Sequence, residues 1–215
     1  VIYRNHVQVE DIIRVLQQKK IAFNTKKKTD LLQLPLVHQI ISILSWIDKE
    51  NYISYSADDL LFQILHYNFF NIKPLEIAKL SIVVNQKNNK TKEEIFSLRR
   101  LIAEMPNIKV DLFNEPNSCI KKASTILETL LQEQHNITLQ HLIEKIIQQT
   151  GLLFYIMKEA EKPWLMQVLT TFFNFVKEET KRQPNLQLHE FLNNIEVMKK
   201  NKISIPLYKT TASNV

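Results

Sequence analysis

The chain has 215 residues, 45% apolar and 23% charged, with a formal net charge of +6. That length is enough to bury a sizeable core, as one large domain or two small ones, and the apolar share excludes a disordered chain. A single glycine, Gly151, and a single cysteine, Cys119, exclude more. Average usage would supply roughly 15 glycines. A Walker A loop, a dinucleotide fingerprint and a Ser-nucleophile elbow each need at least two at fixed spacing, because their backbones turn tightly or approach phosphate with no Cβ in the way. One cysteine forms no internal disulfide, which points to a reducing, cytoplasmic setting.

Residues 1–4, VIYR, read as the end of a strand, and 6–20 as an amphipathic helix with Val9, Ile12, Ile13 and Leu16 on one side and Asn5 as its N-cap. IAF at 21–23 reads as a second short strand, so the first 23 residues form a βαβ-like fragment that must lean on something else. From about residue 30 the pattern is helical. Leu36, Ile40, Ile43, Leu44 and Ile47 follow helical spacing behind Pro35. Ser56 to Asp59 resembles a capping box, and Pro74 opens a helix whose stripe is Leu75, Ala78 and Ile82. NQKNNKT (85–91) reads as an exposed loop, and Thr91 to Glu94 as a second capping box leading to a helix near Met105.

Pro106 and Pro116 bracket a non-helical connection. A helix at 118–134 turns Ile120, Ile126, Leu127, Leu130 and Leu131 inward. Thr138 caps the next, 139–149, which Gly151 stops in a left-handed conformation. The helix at 164–179 carries an aromatic and aliphatic stripe, from Trp164 to Val176, that reads as a packed face. A last helix runs from Leu188 to Lys199, ahead of a lysine-rich tail. No apolar run approaches the roughly 18–20 residues of a membrane span. Neither end carries a leader or targeting signal, and both read as ends within a larger protein.

Catalytic constellations are hard to find. His141 and Glu144 stand one helical turn apart but lack the further ligands of a metal centre, and read as a surface pair. Asp58-Asp59, Glu93-Glu94 and Glu178-Glu179 are neighbours on helices, so their side chains diverge and do not form acid/base pairs. Cys119 reads as a small residue near a helix start. The lysine clusters are 19–20, 26–28, 121–122 and 199–202, and the run at 26–28 is the strongest candidate for phosphate contact.

Two segments near opposite ends resemble superfamily 1 helicases of the UvrD/PcrA/Rep and RecB/AddA type. Residues 2–23, IYRNHVQVEDIIRVLQQKKIAF, are similar to the family's LYR-(T/S)-N-A-Q…EE-L…GIPY segment of the second RecA-like motor domain. Residues 186–195, LQLHEFLNNI, resemble the L-x-EFL-E-x-(I/L) helix late in the helical insertion called 2B, and 148–179 resemble the TGY…L…EN-L-x-E-L…EFE arrangement. The resemblance places Arg4 and His6 near single-stranded DNA, with His6 standing where the family has Asn. Lys26, Lys27 and Lys28 fall where the family has a Gly-Gly loop. The Gly-rich duplex-contacting turn falls on HYNFFNIKPLEI (66–77), which has no Gly, so Asn71 is expected to take the left-handed position.

The expected fold is mainly α. An irregular helical domain (29–205) follows a strand-helix-strand remnant of a RecA-like motor domain (1–28), and 206–215 return to that motor. The function implied is to position DNA and regulate the motor of an ATP-dependent DNA helicase. No catalytic, cofactor or metal site is expected in this chain, while ATP and Mg belong to the parts outside it. The implied partners are DNA, single-stranded or at a junction, and the remaining motor domains, with no membrane. The DNA-contacting residues would be Arg4, His6, Lys26, Lys27 and Lys28. The alternatives are a non-enzymatic helical module binding another protein through an exposed apolar stripe, and a helicase–nuclease of the AddA type.

Overall fold

The computed structural model describes residues 24–90, 96–104 and 118–210, with 12, 15, 16, 19 and 21 ahead of them. The elements run β1 (Asn24–Asp30), α1 (Pro35–Tyr52), α2 (Asp58–Leu65), α3 (Pro74–Lys90), α4 (Leu98–Glu104) and α5 (Ser118–Glu133). They continue α6 (Leu139–Gln149), α7 (Leu152–Lys158), α8 (Lys162–Arg182), α9 (Leu188–Lys200) and β2 (Pro206–Thr210). Three 3-10 turns, Leu31–Gln33, Asn68–Phe70 and Gln134–Asn136, punctuate them. The protein is mainly α, as expected, with a two-stranded sheet among the described residues.

α1 is the centre of the body. Pro35 opens it without cost, since its fixed φ suits a helix start and its missing N–H would have no partner there. Leu36, Ile40, Ile43, Leu44 and Ile47 are buried at the expected spacing, and Val37, Ile41 and Trp46 bury the flanks of that stripe. A helix apolar over so much of its circumference has to be surrounded, and α2, α5, α6, α8 and α9 all pack on it. Each large side chain removed from water here contributes about 1.5–3 kcal/mol.

The N-terminal segment departs from expectation. Ile12, Val15 and Leu16 are helical as predicted, and the Ile21 N–H donates to the Leu16 carbonyl at 3.0 Å. Ile21 is not part of a strand, and β1 begins at Asn24, so Lys26, Lys27 and Lys28 lie within β1 and not in a loop after it. The boundary expected after residue 28 falls inside this strand. β1 pairs antiparallel with β2, in a register that sets Asp30 opposite Pro206, Thr29 opposite Leu207 and Lys28 opposite Tyr208. NTKKKTD has poor strand propensity, so the ladder with β2 makes this a strand; pairing context overrides local preference. The strand expected at 1–4 and the connection at 106–116 lie outside the described residues.

Other corrections concern caps and faces. The capping box at Ser56–Asp59 does not form: Ala57 is the N-cap of α2, and the Ser56 hydroxyl donates to the Ile53 carbonyl at 2.7 Å. The Asp58 carboxylate instead accepts from the backbone N–H groups of Leu98 (2.6 Å) and Arg99 (3.3 Å), capping α4 from a distant part of the sequence. Ser97 completes that cap by accepting from Arg100 N–H at 3.0 Å. The capping box expected at 91–94 lies outside the described residues. α3 continues through the segment read as a loop, as far as Lys90. It buries Ile77, Leu80, Val83 and Val84, while Leu75 and Ile82 of the expected stripe are 66% and 49% exposed.

Gly151 takes φ +83°, ending α6 and capping α7, a short helix the sequence pattern did not reveal. Asn71 takes φ +52°, as expected of its place in a turn without glycine. Thr138 caps α6, its hydroxyl accepting from His141 N–H at 3.3 Å. α9 begins with a capping box, Gln187 with Glu190, that the sequence reading did not pick out.

Candidate nucleic-acid interface

Of the five expected contact residues, Arg4 and His6 lie outside the described residues. Lys26, Lys27 and Lys28 are brought together on β1, one arm of a two-stranded stalk. The base of the stalk is fixed by Asp30. Its Oδ1 accepts from Leu32 N–H (3.2 Å) and from Ile205 N–H (3.1 Å), and Leu31 N–H donates to the Ile205 carbonyl (2.9 Å). Residues 30–32, entering the helical body, are thus tied to residue 205, leaving it.

α9 runs antiparallel to α1. At one end His189 Nδ1 lies 2.9 Å from an Asp48 oxygen near the close of α1, and at the other Lys199 lies near His38 in its first turns. Partial burial first, and the charge of Lys199 second, hold the His38 imidazole below its ordinary pKa of 6.5. The C-terminal end of α9 therefore sits at the stalk end of the body.

A groove of about 650 Å³ runs between α8, α9 and the returning segment. Phe175, Val197, Met198 and Ile203 supply its apolar surface, and Asn174 and Asn194 supply carboxamides. Val197 and Ile203 are 45% and 52% exposed, and they bracket Lys199, Lys200 and Lys202 in sequence. Glu178 and Glu179 also line the groove, but their charges are met by Lys181 at 2.7 Å and Arg182 at 2.9 Å. The sequence reading set the lysine tail apart from the apolar pattern; its interleaving with Val197, Met198 and Ile203 was the signal available.

A second groove of about 630 Å³ lies at the far end of α1. His135 Nε2 approaches the Asn51 carboxamide oxygen at 2.8 Å there, and Gln140 donates to the Thr180 hydroxyl. The hydrogen bond to Asp48, and then its charge, raise the His189 pKa.

The most buried charged group belongs to a structural tie. Arg99 donates to Glu50 (2.6 Å) and, through two nitrogens, to both Glu128 oxygens (2.6 Å each). Glu50 also accepts from Tyr55 N–H (2.7 Å) and Ala57 N–H (2.9 Å). The Glu128 hydrogen bond is the largest influence raising the Arg99 pKa, with burial opposing it. Burial raises the pKa of Asp58, against the pull of its two backbone donors. His141 is exposed, and among the described residues no three His, Cys, Asp or Glu side chains gather in a metal-binding arrangement. Cys119 sits partly buried in the first turn of α5. No helix among the described residues is long and apolar enough to cross a membrane. No protein-family model matches this sequence, and neither does any curated protein.

Proposed function

We propose that this chain is the helical insertion domain of an ATP-dependent DNA helicase, carrying a stub of the motor domain from which it projects. It positions DNA and regulates the motor. ATP and Mg are bound, and ATP hydrolysed, by motor parts outside the chain.

The observation supporting this reading is the stalk. The polypeptide enters the helical body through β1 and leaves it through β2, about 175 residues later, directly alongside. An insertion has to return its chain to where it left the parent domain, and a paired two-strand stalk does so. Two such strands are marginal on their own and gain stability from a larger sheet or body. The RecA-like motor domain is the one implied by residues 2–23. Asn71, left-handed in the turn where PcrA-like helicases use glycine, is consistent with the AddA/RecB branch.

The rival reading, a helical protein-interaction module, is favoured by one observation, the exposure of Leu75 and Ile82 on α3. DNA binding separates the two. The chain should bind a fluorescent oligonucleotide without sequence preference, at micromolar or weaker affinity, and lose it steeply as salt rises, because each neutralised phosphate releases counterions. Replacing Lys26, Lys27 and Lys28 by Ala should weaken binding and flatten the salt slope by about two to three units. Absence of any salt-dependent binding by the unmodified chain would overturn the helicase reading in favour of the rival.

A further inference from the structure

We infer that the groove between α8 and α9, together with Lys199, Lys200 and Lys202, is a binding site for an unpaired nucleic-acid strand. The inference rests on the nucleic-acid reading above and narrows it to a second surface and to one form of the polymer.

Two independent observations meet here. The first is the charge. Several basic side chains on the body have an acidic partner: Lys49 with Asp59, Lys145 with Glu133, Lys181 with Glu178, Arg182 with Glu179, and Arg99 with two glutamates. Among the described residues, no carboxylate lies within the 4.0 Å ion-pair distance of Lys199, Lys200 or Lys202. Glu196, one turn back on α9, makes no such pair, and Asp30 Oδ1 accepts from two backbone N–H groups. Lys200 and Lys202 are exposed. Lys202 is held in a left-handed conformation (φ +54°), and its N–H donates to the Lys199 carbonyl at 3.2 Å, so the three residues are folded together at a helix end.

The second observation is the groove beside them. Favourable interaction with the α9 helix dipole would account for lysines in its last turn, but not for the apolar trough that their chain neighbours Val197, Met198 and Ile203 line. A duplex keeps its bases stacked inside and offers phosphates alone to such a surface. An unpaired strand offers flat apolar base faces with polar edges, the combination that a groove of Phe175, Val197, Met198 and Ile203 with Asn174 and Asn194 can receive. An acidic amphipathic helix would also satisfy the lysines, but it seeks an uninterrupted apolar groove, and the two asparagines and the Glu178–Glu179 wall interrupt this one. The phosphates would follow the lysines while bases enter the groove.

The test uses the full chain, a fluorescent 20-mer of deoxythymidine, the same length as duplex, and heparin as a base-free polyanion. Lys199, Lys200 and Lys202 are changed together to Gln, and Val197→Ser is made separately. The lysine variant should bind single strand about tenfold or more weakly with a salt slope about two units shallower. Val197→Ser should weaken single-strand binding while leaving heparin binding unchanged. Circular dichroism melts of both variants should match the unmodified chain. Single-strand affinity unchanged in the lysine variant, while the Lys26–Lys28 variant loses it, would overturn this site and keep the proposed function. Equal losses for single strand, duplex and heparin with Val197→Ser silent would overturn the groove's part. No binding to any nucleic acid by the unmodified chain would overturn both readings, and capture of an acidic amphipathic peptide instead would assign the groove to a protein partner.

Discussion

At the scale of single residues, Arg99 bears the largest structural demand. Its guanidinium reaches Glu50, whose side chain is fully withdrawn from water, and Glu128, and it stands 5.0 Å from the Tyr55 ring centroid and 5.8 Å from that of Trp46. Glu50 in turn holds the turn after α1: its two oxygens receive the N–H groups of Tyr55 and Ala57, and Tyr55 takes an unfavourable φ of +66° where it donates that bond. One arginine thus ties α1, α4 and α5 and the turn leading into α2. Removing one partner of a buried pair leaves the other charged and uncompensated, which costs more than the pair was worth. Arg99→Met is therefore expected to destabilise the fold by about 3–5 kcal/mol, read as a lower urea midpoint with unchanged slope. Glu128→Gln, at a carboxylate 28% exposed, should cost about 1 kcal/mol. Equal costs for the two substitutions would remove Glu50 from the centre of this account.

At the scale of elements, the turns decide where helices stop. Gly151 sits at φ +83°, and a Cβ there would lie 3.3 Å from the Phe69 carbonyl oxygen, so the 3-10 turn at 68–70 packs directly against it. Gly151→Ala should cost about 1–2 kcal/mol through the left-handed penalty alone. Asn71→Gly, at φ +52°, should be close to neutral or stabilising in the same urea titration, because glycine takes that conformation with no Cβ penalty. If both substitutions behave alike, the turn conformations are not what sets these boundaries.

These same elements show what could be read from sequence. α1, α6, α8 and α9 were legible because apolar residues recur at one spacing over several turns and a Pro, Thr or Gly marks an end. The buried face of α3 was misread because Leu75, Ala78 and Ile82 have helical spacing too, and only the packing of Ile77 and Leu80 decides between two faces. Asp58 was assigned to its own helix because a cap for a helix some 40 residues away leaves no local pattern. The candidate groove was hidden for the same reason: Phe175 and Val197 meet only when α8 and α9 pack, whereas the lysines beside them stood out as a run.

At the scale of the whole molecule, the helical body and the stalk differ in what holds them. The body is organised around α1, with Trp46, Phe172 and Phe191 fully buried among aliphatic side chains. The stalk is a two-strand ladder with a register irregularity between Asn24 and Lys28, anchored by Leu207 in the core and by the hydrogen bonds of Asp30. Opening a ladder of that size exposes little apolar surface, so its free energy of opening lies well below that of the body. Hydrogen exchange should therefore show the amides of β1 and β2 opening before those buried in α1 and α8. Asp30→Ala should accelerate exchange at Leu32 and Ile205, whose N–H groups lose their acceptor, and leave the middle of α1 as slow as before. A stalk protected as strongly as α1 would show that it is part of the cooperative core, and would remove the ground for treating the helical body as a unit inserted on a hinge. The expected order is the one the proposed insertion would need, a helical body that holds together as one cooperative unit while the stalk opens first.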